Sequence, residues 1–168
     1  MAGIIGFPNP VNEKAARTVA AGVLLMGVTV LVTGWHWIIA IMALGFLARV
    51  LTGPKLSLLG QFATRVVAPR LGKPRYVPGP PKRFAQAIGL TLTTVAAIGS
   101  LVFGVHVLGT VLIAILVVFA TAESAFGFCA GCWLFIRLMI LGLIPPETCE
   151  ACTVMYSHQQ AGPSTSTP

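Results

Sequence analysis

The sequence predicts an all-α, polytopic membrane protein: four transmembrane helices in two hairpins, followed by a short C-terminal interfacial helix. Three observations predict it. Of the 168 residues, 56% are hydrophobic and only 9% charged, where a soluble domain carries roughly 25% charged residues to cover its surface. The positive charge is concentrated between long apolar stretches. Those stretches fall into two pairs, each pair broken by a short turn that carries a histidine.

In chain order, residues 1–14 are expected to form a cytoplasmic N-terminus. The apolar start is interrupted by Pro8 and Pro10 and ends in no small-residue cleavage site, so the first hydrophobic run is expected to stay as an anchor. Asn12 is a plausible helix cap, with Glu13 in the first turn. Residues 15–51 then form the first transmembrane hairpin: an apolar run to Val32, a turn at Gly34-Trp35-His36-Trp37, and a second run to Leu51 stopped by Thr52-Gly53-Pro54. Each run is a little short of the ~20 residues a bilayer requires. Trp35 and Trp37 suit an interfacial aromatic belt.

Residues 52–83 read as a basic cytoplasmic loop. From Arg49 to Arg83 the chain carries Lys55, Arg65, Arg70, Lys73, Arg75 and Lys82, and no acid. Lys and Arg are retained on the cytoplasmic side of membrane proteins, and an anionic leaflet attracts them. This placement between apolar runs argues against nucleic-acid binding. Leu56 to Leu71 mixes leucines with Arg65 and Arg70, as an amphipathic segment on the inner leaflet would. Lys73 to Pro81 reads as an extended, proline-stiffened connector.

Residues 84–128 form the second transmembrane hairpin. Phe84 to Ala122 holds no charged residue and is too long for one span, so Gly104-Val105-His106-Val107 supplies the break between helices over Phe84–Phe103 and from Val107 to about Phe128. The landmarks Phe7-Pro8-Asn9-Pro10 and Gly34-Trp35-His36-Trp37 recur at the same offset as Val77-Pro78-Gly79-Pro80 and Gly104-Val105-His106-Val107. That points to two hairpins related by an axis along the membrane normal. Residues 129–152 are the paired-cysteine segment, and 153–168 a polar tail expected to be disordered. A five-span alternative turns at Thr121 to Ser124 and runs a fifth helix from Ala125 to Ile144. It places Arg137 at mid-depth, which is costly without a partner.

The cysteines carry the chemistry. Cys129 and Cys132 form one C-x-x-C, and Cys149 and Cys152 a second, with Trp133 to Thr148 between. Two such pairs at this gap are a spacing of tetrahedral thiolate sites, which suit zinc or an iron-sulfur centre. The same atoms also serve as exchange dithiols, with Cys129 and Cys132 at a helix start where the macrodipole favours thiolate. A third reading is four small buried cysteines without chemistry. Glu123 is the one acid in its apolar surroundings and needs protonation or a partner. Arg49 and Arg137 are the partners expected. His36 and His106 occupy equivalent turns, where an interfacial polar residue is unremarkable and ligation the rarer case.

Phe7-Pro8-Asn9-Pro10-Val11-Asn12-Glu13 with Arg17, Arg49-x-x-x-Gly53-Pro54 with Ser57, Gly79-Pro80-Pro81-Lys82-Arg83-Phe84-Ala85-Gln86, and Glu123 before Phe128-Cys129-x-Gly131-Cys132 together resemble an uncharacterised family of bacterial membrane proteins common in actinobacteria. It is the domain-of-unknown-function family numbered 4395. The resemblance runs from about Phe7 to Cys152. It implies a multi-pass plasma-membrane location and, through genomic neighbours of the family, thioredoxin-like or rhodanese-like sulfur proteins as partners besides the lipid bilayer. It implies no established activity.

The expected function is therefore a membrane thiol-disulfide or sulfur-relay partner, with Cys129 and Cys132 as exchange thiols and Glu123 or Arg137 tuning them. The alternatives are a membrane protein with a structural zinc or iron-sulfur site on Cys129, Cys132, Cys149 and Cys152, and a small transporter or transporter subunit. Both termini are expected on the cytoplasmic side.

Overall fold

The computed structural model describes residues 8–149 together with Cys152. Residues 1–7 and the expected polar tail 153–168 lie outside the described residues.

Among the described residues the chain is all-α apart from one short ladder between its halves. Strand β1 (Val11–Asn12) leads into helix α1 (Glu13–Thr33), which is followed by α2 (Trp37–Thr52). Helix α3 (58–70) is α-helical over Leu58–Phe62 and Ala68–Arg70, with a π turn over Ala63–Val67. Strand β2 (Tyr76–Val77) pairs antiparallel with β1, Val11 opposite Val77. Helix α4 (Gly79–Val102) and helix α5 (His106–Phe126) each end in a π turn. Helix α6 (Ala130–Ile140) and a single 3-10 turn (Pro146–Cys149) complete the described chain.

Local chemistry explains the boundaries. Asn12 caps α1, its Oδ1 accepting from the Lys14 amide at 3.0 Å. Both hairpin turns use a glycine in the left-handed region, Gly34 at φ 71° and Gly104 at φ 68°, a conformation in which a side chain would be strained. In each turn the histidine amide donates to the glycine carbonyl, His36 to Gly34 and His106 to Gly104. Helix α4 starts at Gly79, five residues before the expected Phe84, because Pro80 and Pro81 sit at its first positions. Proline is well placed there, where its missing N–H has no helical acceptor to lose.

The halves are built alike. Helix α1 packs on α5 and α4 on α2, so the first helix of each hairpin lies against the second helix of the other. Helix α3 then folds back onto α1, as α6 folds back onto α4. Equivalent residues meet at both ends. The Gly79 amide donates to Asn9 Oδ1 at 3.0 Å, 70 positions apart. At the other end, the rings of His36 and His106 lie 4.6 Å apart. Residues exchanged by a two-fold operation touch only near its axis, so an approximate two-fold axis runs the length of the bundle.

The core between the hairpins holds Val23 and Val30 of α1, Ile39 and Phe46 of α2, and Ile113 and Leu116 of α5. The outward faces are apolar as well: Leu25, Val32, Leu44, Val107 and Val118 are all exposed. A water-facing surface seldom carries so much contiguous apolar area. Three helices, Glu13–Thr33, Gly79–Val102 and His106–Phe126, are long and apolar enough to cross a bilayer, and Trp37–Thr52 and Ala130–Ile140 are shorter apolar helices. The chain is a multi-pass membrane protein.

Candidate functional site

Most of the polar chemistry gathers at one end of the bundle, opposite the histidine turns. Helix α5 runs further than its counterpart α2, and its additional turn, wound as a π-helix over Ala122–Phe126, carries Glu123. π turns are frequent at functional positions. The Glu123 carboxylate lies 2.5 Å from the Lys82 ammonium, in the second turn of α4, and both side chains are largely buried. The expectation that Glu123 pairs with Arg49 or Arg137 is thereby corrected. The early start of α4 is the reason, since it winds Lys82 into the bundle instead of leaving it in a loop.

Arg49 is buried at the same end, with Nε donating to Gln86 Oε1 at 2.9 Å and Nη1 to Ser57 Oγ at 3.2 Å. Arg137 is exposed on α6, its guanidinium over the Trp133 ring at 5.1 Å. Arg17 reaches across from α1 and donates to the carbonyls of Ser124 and Ala125. Those carbonyls end a helix and have no intrahelical partners. Arg17 thus ties the start of α1 to the turn that carries Glu123.

Cys129 is the N-cap of α6 and Cys132 its third residue, both half-buried and both free thiols. In the other half, the start of α3 is capped by Ser57, whose hydroxyl accepts from the Gly60 amide at 3.3 Å. Cys129 makes no such cap bond, so its sulfur is available to other groups. The Cys129 thiol is held below its ordinary value chiefly because its sulfur accepts a hydrogen bond from the Cys132 thiol, with the Lys82 ammonium assisting; burial and Glu123 oppose the shift. Cys132 is pushed up strongly by that same bond, by burial and by the adjacent Cys129. Cys129 therefore ionises first. A thiolate at a helix N-terminus is also favoured by the helix dipole.

Cys129, Ala130 and Gly131 line a cavity of about 190 Å³ that Glu123 and Gln86 also border. Cys149 and Cys152 are joined in a disulfide, which packs with Phe135 of α6 and with Phe84. Phe135 lies six residues along α6 from Cys129, about 9 Å of helix axis at 1.5 Å per residue. The structure does not gather the four cysteines expected as zinc or iron-sulfur ligands. Among the described residues, no group of three or more His, Cys, Asp or Glu side chains is arranged to hold a metal ion. The apolar stretch between the pairs is the physical reason: it winds into α6 and keeps them apart. His36 and His106 meet as a pair at the opposite end, with Thr110 Oγ1 3.5 Å from His36 Nε2.

The family described as a domain of unknown function, DUF4395, matches residues 11–139. The chain belongs to DUF4395. The matched span takes in α1 to α5 and nearly all of α6, including Lys82, Glu123, Cys129 and Cys132, and stops before Cys149. Neither a curated protein nor a solved structure matches this DUF4395 chain.

Sequence reasoning missed Lys82 and Gln86. Lys82 counts among the cations of the basic loop, set apart by the helix-start signal in Gly79-Pro80-Pro81 and by its place in the resemblance motif. Gln86 stands in the Gly79 to Gln86 motif of the family resemblance, but a motif residue of a family without an established activity has no role to carry over.

Proposed function

We propose that this DUF4395 protein is a membrane thiol-disulfide exchange protein whose working dithiol is Cys129 and Cys132. The supporting observation is a free C-x-x-C at a helix start, the first thiol held low, in the same segment as a formed Cys149–Cys152 disulfide. In the forward step, the Cys129 thiolate attacks a partner disulfide, forming a mixed disulfide and releasing one partner thiolate. Cys132 then loses its proton, attacks the Cys129 sulfur and closes the intramolecular disulfide, releasing the second partner thiolate. The two protons lost by Cys129 and Cys132 end on the two released thiols. The dithiol is oxidised by two electrons and the partner disulfide reduced by two. The partner class is a thioredoxin-like disulfide protein; a rhodanese-like persulfide would pass its outer sulfur to the same thiolate. Glu123 holds Lys82 in place; the Lys82 charge favours the Cys129 thiolate and the Glu123 charge opposes it.

In this reading α2 is the fourth span, as the counterpart of α5, and α6 lies in the interface. The 16 residues of α2 cover about 24 Å, short of the ~30 Å hydrocarbon core, with Trp35 and Trp37 extending its end into the headgroup layer. The basic segment shares an end with Cys129 through Lys82, so both face the cytoplasm under the positive-inside rule. Cytoplasmic disulfides are mostly transient and catalytic, which fits Cys149–Cys152 as a second redox pair.

The test is a redox titration of the detergent-purified chain with a thiol-specific mass label. A single two-electron couple at Cys129/Cys132, abolished in Cys129→Ser, is expected. If both thiols label fully across the whole range of potentials, the exchange reading fails.

A further inference from the structure

Arg49 is an unexplained charge. It is 5% exposed, yet its two protein acceptors, Gln86 Oε1 and Ser57 Oγ, are both neutral, and its guanidinium also lies over the Phe46 ring at 4.4 Å. Among the described residues no carboxylate reaches it: the ion pairs there join Arg75 to Glu13 and Lys82 to Glu123. Its Nη2 donates to no protein atom among them. A buried cation is normally retained with a counter-charge, because desolvation otherwise disfavours it strongly.

Arg49 borders a cavity of about 440 Å³ between α1, α3 and the start of α4. That falls within the roughly 300–1,000 Å³ of small-ligand pockets. Most of its wall is apolar, from residues such as Val11, Ala15 and Ala68, and its polar groups include Arg49, Lys82 and Gln86. Glu123 already neutralises Lys82, so among the described residues the buried wall carries one uncompensated positive charge.

We infer that this cavity binds a small organic monoanion, its carboxylate or similar oxyanion on the free edge of the Arg49 guanidinium and its apolar body against the α1 and α3 walls. One negative charge balances the wall. A planar oxyanion matches the guanidinium fork, which a spherical ion does not. The apolar lining selects an organic acid over an inorganic one. The anion comes either from the aqueous phase or from an acidic lipid of the leaflet, since both present the same head chemistry. This site shares Lys82 and Gln86 with the surroundings of Cys129, but its test reads anion binding and does not use the thiols.

The experiment measures binding and thermal unfolding of the full chain in a neutral detergent, with benzoate as the soluble acid, benzyl alcohol as the uncharged control, and native mass spectrometry for a retained acidic lipid. Saturable benzoate binding that raises the unfolding temperature, without an effect of benzyl alcohol, is expected for an aqueous source. A retained acidic lipid that excludes benzoate is expected for a bilayer source. In either case Arg49→Gln should weaken or lose the anion by at least tenfold. Gln86→Glu keeps the fold testable should Arg49→Gln not fold: it places a carboxylate beside the guanidinium and should expel the anion while leaving the empty protein at least as stable. Absence of both benzoate binding and a retained acidic lipid overturns the inference, as does unchanged anion binding in Gln86→Glu.

Discussion

The Lys82 ammonium and the Glu123 carboxylate meet at 2.5 Å, joining the start of α4 to the last turn of α5, with 8% and 17% of the side chains exposed. Removing one partner of a pair this buried leaves an uncompensated charge, typically worth about 3–5 kcal/mol. Lys82→Met should therefore lower the unfolding temperature in detergent markedly. The double change Lys82→Met with Glu123→Leu should recover most of the loss, since an apolar pair of similar volume is often neutral. A double variant no better than the single one would show that the charges contribute nothing beyond their packing.

Thiol reactivity should reveal the asymmetry of the first cysteine pair. The Cys132 hydrogen bond, helped by Lys82, lowers Cys129, so its thiolate persists to a lower pH than the ~8.5 midpoint of a free cysteine. The iodoacetamide rate at Cys129 should rise below that midpoint. Cys132→Ala removes the donor, so the curve should move to higher pH; an unmoved curve would discount the hydrogen bond.

Beneath the histidine turns, Ser100 Oγ is fully buried with no hydrogen-bond partner among the described residues. Burying an unpaired hydroxyl costs about 1–3 kcal/mol. Ser100→Ala should therefore raise the unfolding temperature or leave it unchanged. Gly109→Ala should lower it, because the added carbon meets Ser100 and the Ala96 carbonyl oxygen. Adding Ser100→Ala to it should restore part of the loss.

His36 and His106 mark the end of the bundle remote from the cysteines. In a His36→Cys, His106→Cys chain with its natural cysteines replaced by serine, a short bis-maleimide should link the two positions within one molecule. A membrane-impermeant maleimide should label them from the face opposite to the one that exposes Cys129. Only intermolecular links would break the proposed pairing of the hairpins.

Much of this arrangement was legible in the chain. The turns at Gly34 and Gly104 announced themselves because glycine and histidine interrupt otherwise apolar runs, and their common offset marked His36 and His106 as equivalent, without telling that the two rings would touch. Cys129 at a helix start was readable too. The partner of Glu123 was not, because Gly79-Pro80-Pro81 fits an extended connector and a helix start equally well, and only the second choice turns Lys82 inward. Nor was the fate of the four cysteines. Spacing tells how far apart two pairs are along a chain, but not that the residues between will form a rod that holds them apart.

The bundle axis has a last consequence. A dimer of identical half-chains must present its reactive groups twice or not at all. Covalent union of unlike halves lifts that obligation, so the position that is a hydroxyl cap at Ser57 is a thiol at Cys129. One half bears the buried Arg49 and the other the sulfur, so this end of the molecule presents a single thiol pair in a single direction.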